Sequence, residues 1–173
     1  MREEILKAHN KQHTLEIAES ACSSEKAFKA LMDCFTSDET VLAQRAAWAV
    51  SCAAALRPDL VKPYLSTVAQ ALERKNVHEA VVRNALKILS QTEIPEQLQG
   101  QVMDSCFRFL ETPGTAIAVK AHSLTILENL SHTYPEILPE LKLLIEMNWD
   151  TETAAFRSRA GKILKAMKSV KHP

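Results

Sequence analysis

Apolar residues recur along this chain at helical spacing, and the pattern itself recurs. QRAAWAVS (44–51), VVRNALKIL (81–89), AVKAHSLTIL (118–127) and FRSRAGKIL (156–164) each set a basic residue ahead of a small residue and an apolar pair. Aligned on the small residue, Ala47, Ala85, Ser123 and Ala160 are separated by steps of 38, 38 and 37, and Val50, Ile88, Ile126 and Ile163 keep the same steps. A preceding helical pattern keeps the period as well. Phe35, Leu72, Leu110 and Met147 are spaced by 37, 38 and 37, as are Leu31, Val68, Cys106 and Leu143. A constant step containing two helical patterns predicts stacked helix pairs, none of which can bury its apolar stripe alone.

Punctuation fits that period. Pro58-Asp59-Leu60, Pro95-Glu96-Gln97-Leu98 and Pro135-Glu136-Ile137 open the first helix of successive pairs, because proline suits the first helical turn and blocks a helix arriving from upstream. Within pairs, Ser37-Asp38-Glu39-Thr40, Gly114-Thr115 and Asp150-Thr151 offer N-caps for the second helix. Residues 2–22 add another apolar helical series through Ile5, Leu6, Leu15, Ile17 and Ala18. The chain thus divides into an N-terminal capping segment, 1–24, and units at 26–57, 58–94, 95–134 and 135–169, within one domain. The expected fold is all-α, a right-handed α-α superhelix of about four helix pairs.

On these residues the chain resembles the HEAT family of armadillo-like α-solenoids. That family places a Val-Arg-like pair near the start of the second helix and a small residue one turn later. Here the pairs are Gln44-Arg45, Val82-Arg83, Val119-Lys120 and Phe156-Arg157, over about residues 26–168. The basic residue stands two places before Ala47 and Ala85 but three before Ser123 and Ala160, and Gln44 is not apolar. The chain is also similar to small stand-alone HEAT-like proteins of bacteria, for which the resemblance implies an interaction role and no chemistry.

Composition narrows the field. Only 3 glycines are present and aromatics are 5%, which favours helices over sheets. With 21 basic and 21 acidic side chains, no global field draws the molecule to DNA or an anionic membrane, so an electrostatic partner must meet a local patch. The start, MREEILKAHNKQH, lacks an apolar h-region, and AAWAVSCAAAL (46–56) is too short to span a bilayer, so a cytoplasmic protein without a membrane segment is expected. Cys22, Cys34, Cys52 and Cys106 have no zinc-type spacing and are expected as reduced, packed thiols.

The candidate chemistry is a ladder of cations. Arg45, Arg83, Lys120 and Arg157 occur once per unit, and the HEAT resemblance implies that the second helices carrying them line a concave face. Arg159, Trp48 and His122 stand within three residues of that row, so a basic stripe beside an aromatic and a titratable group suits a carboxylate or a stacked base. Against this stands the family's use of such an arginine to pair with an acid or carbonyl between units, and Asp38 and Asp150 each precede their arginine by 7 residues. Four phosphate contacts would give a log–log salt slope of roughly −3.6, or about a 150-fold loss from 50 to 200 mM salt, a weak nucleic-acid binder. Residues 153–173 hold six Lys or Arg beyond position 156 and a terminal Lys171-His172-Pro173 expected to fray.

Other motifs point elsewhere. His9 and His13 share a helix face, but no Glu completes HExxH and no third ligand is apparent, so no metal is expected. Trp149-Asp150 resembles the Trp and Asp used by a HEAT-like alkylpurine DNA glycosylase, yet its place between helices suits a packing Trp and a capping Asp. Neither GxxxxGK[ST], GxGxxG nor GxSxG occurs. No catalytic residue and no cofactor are assigned. The expectation is a non-enzymatic module gripping a partner protein. Nucleic-acid binding or glycosylase-like chemistry is the alternative, and a subunit role in a larger assembly comes third.

Overall fold

The computed structural model describes residues 1–169, and the Lys171-His172-Pro173 tail lies outside them. Every regular element among the described residues is a helix. Contacts group the chain into two units, one ending at Leu98 and one beginning at Gln99.

The first unit holds α1 (Arg2–Lys7), α2 (Lys11–Ala21), α3 (Glu25–Phe35), α4 (Thr40–Leu56), α5 (Pro58–Val61), a 3-10 turn at Lys62–Tyr64, α6 (Leu65–Gln70) and α7 (Glu79–Ser90). Its hub is α4, which packs on α1, α2, α3, α5 and α7. The sequence TVLAQRAAWAVSCAAAL explains why one helix can serve so many neighbours. Alanines 43, 46, 47, 49, 53 and 54 are buried around most of its circumference, and a methyl side chain lets other helices approach closely while favouring helix itself. The capping segment is fixed by polar contacts. Arg2 pairs with Glu39 at 2.6 Å, and His13 Nε2 lies 2.7 Å from the Glu4 carbonyl.

The second unit continues α8 (Glu96–Glu111), which begins just before its boundary, with α9 (Ile117–Ser131), a 3-10 turn at Pro135–Ile137, α10 (Leu138–Asn148) and α11 (Ala154–Ser169). Here α11 packs on both α9 and α10. Tyr134 donates its hydroxyl hydrogen to Gln99 Oε1 at 2.8 Å, tying the loop after α9 back to α8.

The repeated small residues carry the packing. Ala47, Ala85, Ser123 and Ala160 are all wholly buried, as are Val50, Ile88, Ile126 and Ile163. On the first helices Leu31, Val68 and Cys106, with Phe35, Leu72 and Leu110 one turn on, are buried too. The last pair departs from the period. Leu143 is 56% exposed and Met147 70% exposed, while Leu141 and Ile145 take the interior positions. The i, i+4 spacing is kept, but the buried pair on α10 stands two residues early.

Prolines open first helices as expected, Pro58 at the start of α5 and Pro135 at the start of its 3-10 turn, with Pro95 immediately before α8. The expected caps on second helices are corrected. At α4 the cap position is Glu39, which makes no side-chain cap bond: its carboxylate pairs with Arg2, and its N–H donates to Ser37 Oγ at 3.1 Å. At α9 the position falls to Ala116, and at α11 Thr153 Oγ1 accepts from Phe156 N at 3.3 Å, so Asp150 lies too far upstream to cap. The chain turns for several residues before each helix begins, and the polar residue that closes the turn is spent there.

Candidate functional site

The predicted row of cations does not share one environment. Arg45 on α4 donates through Nη1 to the Leu6 carbonyl at 2.8 Å, capping the end of α1. Arg157 on α11 donates to the Glu152 carbonyl at 2.8 Å and the Trp149 carbonyl at 3.3 Å, holding the turn after α10. Carbonyls at a helix end lack intrahelical donors, so a guanidinium there fills an unmet need. Lys120 on α9 is 5% exposed and ion-paired with Glu152. Arg159 on α11 reaches α9, donating through Nε to Thr125 Oγ1 at 3.0 Å and pairing with Glu128. The two ion pairs clasp α9 against α11 and its leading turn.

Each of these four cations already serves the fold, but not through the acids expected. Asp38 pairs with Arg74 at 3.4 Å, not with Arg45. Asp150 is exposed. Trp149 packs against α11 beside Gly161, where an added Cβ would lie in ordinary van der Waals contact, 3.6 Å from the indole.

Arg83 is different. It is exposed on α7, and no hydrogen bond or ion pair among the described residues engages it. Trp48 on the neighbouring α4 is half-buried and meets His9 edge-on, with ring centroids 5.7 Å apart. His9 and His13 are thus occupied separately, one by an aromatic ring and one by the Glu4 carbonyl. His122, half-buried on α9, belongs to the second unit.

Sequence reading missed the cations that accompany Arg83. Lys87 stands one turn along α7, and Lys11 begins α2. Both act electrostatically on Cys52 of α4, whose thiol burial holds above its ordinary range while the two ammonium groups draw it down. Trp48 and Cys52 are one turn apart, so α2, α4 and α7 present a common face with an aromatic, a thiol and the cations Lys11, Arg83 and Lys87. The i, i+4 spacing of Arg83 and Lys87 was a usable signal. Nothing in the sequence marked Lys11.

The remaining thiols are packing groups. Cys106 is buried in the interior, which pushes its thiol up to about 12, opposed by the Ser123 hydroxyl beside it. Burial also raises Cys34 and Cys22, and Cys22 Sγ lies 3.6 Å from the Ala53 carbonyl. All four cysteines are free.

A family model described as a HEAT repeat domain matches residues 1–167, nearly the whole chain. The chain belongs to the HEAT repeat family. Searches of curated proteins and of solved structures return no match. HEAT repeats commonly act as protein-interaction scaffolds, and the fold is typically non-catalytic. No helix among the described residues is long and apolar enough to cross a membrane.

Proposed function

We propose that this HEAT repeat protein is a non-enzymatic cytoplasmic interaction module that holds an acidic segment of a partner protein on the α2, α4 and α7 face of its first unit. The supporting observation is that Arg83 and Lys87 stand one turn apart on α7 with no acid among the described residues engaging them. Cations without internal partners retain their full capacity for carboxylates, and a half-buried Trp48 nearby supplies apolar contact for a segment's stem. Arginine and tryptophan are also the side chains that most often dominate interface energetics. Nucleic-acid binding has less to draw on, because Lys120, Arg157 and Arg159 are committed within the second unit.

The test is affinity capture from the native host with wild-type protein and with the Arg83→Glu/Lys87→Glu variant. A direct arm follows Trp48 fluorescence in a Trp149→Phe background during titration with a Glu-rich peptide. Charge reversal is expected to abolish partner recovery and weaken the peptide by at least about tenfold, since a charge-assisted contact is worth about 1.5–3 kcal/mol. Unchanged recovery together with unchanged peptide affinity would end the proposal.

A further inference from the structure

A separate feature of the first unit lies at the turns that precede α4 and α7. A cleft of about 230 Å³ opens there, lined by Ser37 and Asp38 from one turn, Thr40 at the start of α4, and Arg74, Lys75, Asn76 and His78 from the other turn. It is smaller than the roughly 300–1,000 Å³ pockets that enclose drug-sized ligands, so it suits one compact group.

Its lining has a surplus of donors. Arg74 donates to the Phe35 carbonyl at 3.4 Å, the Ser37 carbonyl at 3.1 Å and Asp38 Oδ1 at 3.4 Å. A guanidinium carries five N–H groups, so two remain. Lys75 and the side chains of Thr40 and Asn76 make no hydrogen bond among the described residues. Ser37 Oγ accepts from Glu39 N at 3.1 Å, which leaves its own O–H free to donate. His78 Nδ1 accepts from Ala80 N at 3.1 Å, so in the neutral ring the proton sits on Nε2. Against these donors stands a single carboxylate, Asp38, whose side chain is fully exposed and already shared with Arg74. Two cations and several neutral donors around a small space call for an anion with many acceptor sites. A phosphate group has three terminal oxygens where a carboxylate has two. The first N–H groups of the 17-residue α4, left without a side-chain cap, add to the same preference.

We infer that this cleft binds a phosphate group, as the free ion or as a monoester, through Arg74, Lys75, Thr40 and His78. The site is independent of the docking face on α2, α4 and α7. Its test is an amide NMR titration of the full-length protein at constant ionic strength with inorganic phosphate, glycerol phosphate and acetate. Saturable shifts are expected at residues 40–43 and 74–78 with the two phosphates and not with acetate, and the tighter of the two identifies the source. Lys75→Glu is expected to weaken binding about tenfold or more, as loss of one charge-assisted bond requires. Thr40→Ala, at an exposed position, supplies a second variant with a milder loss. No saturable shift, equal response to acetate, or binding unaltered in Lys75→Glu would overturn the inference.

Discussion

Lys120 keeps its ammonium group in the interior because Glu152 comes to it from the turn before α11. The carboxylate is itself largely buried, so neither charge has water as an alternative partner. Breaking such a pair by removing one partner costs about 3–5 kcal/mol, while replacing both by apolar groups of similar volume is often neutral. Lys120→Met is therefore expected to lower stability by about 3 kcal/mol, and Lys120→Met/Glu152→Leu to recover most of it. Urea unfolding of the four species of this cycle measures both quantities. A single variant as stable as wild type would mean that the lysine reaches solvent and is available to a ligand. Arg45 and Arg157 differ in kind, since their acceptors are main-chain carbonyls that no substitution removes.

At the scale of the element, α10 is where periodicity and packing part. A repeating step places Leu143 and Met147 inside, yet both face solvent and Leu141 and Ile145 are wholly buried. Leu141→Ala and Ile145→Ala are each expected to destabilise by about 2–5 kcal/mol. Leu143→Lys and Met147→Lys are expected to stay within about 0.5 kcal/mol of wild type. Reversal of that order in urea midpoints would restore the uncorrected register. The second helices were legible because Ala47, Ala85, Ser123 and Ala160 need a small side chain at one fixed place in each stack, a demand that leaves a residue type in the sequence. First helices need only something apolar, and LPELKLLIEMN offers leucines in adjacent registers, so the string alone cannot choose between them. The cation row divides for a different reason. Basic residues recur at a shared helix position, but the group within reach of each comes from a different place relative to its own helix: the end of α1 for Arg45, the turn before the second helix of the next pair for Lys120 and the turn before its own helix for Arg157. Arg45, Lys120 and Arg157 thus meet three different acceptors, while Arg83 meets none among the described residues.

For the molecule as a whole, equal numbers of acids and bases mean that binding must be local. Charge balance was plain from composition, but how many cations remain for a ligand was not, because internal pairing subtracts from a total that composition only bounds. The face on α2, α4 and α7 offers Lys11, Arg83 and Lys87. Three phosphate contacts give a log–log salt slope of roughly −2.7, so affinity for duplex DNA would fall about 40-fold between 50 and 200 mM salt. The expected outcome of a filter-binding series is therefore weak retention at the lowest salt, none at physiological salt, and loss of the residual signal in Arg83→Glu/Lys87→Glu. A slope much steeper than about −3 would require more phosphate contacts than this face supplies, drawing in cations that now hold α9, α11 and the end of α1 in place. In that event nucleic acid would displace an acidic protein segment as the better-supported partner.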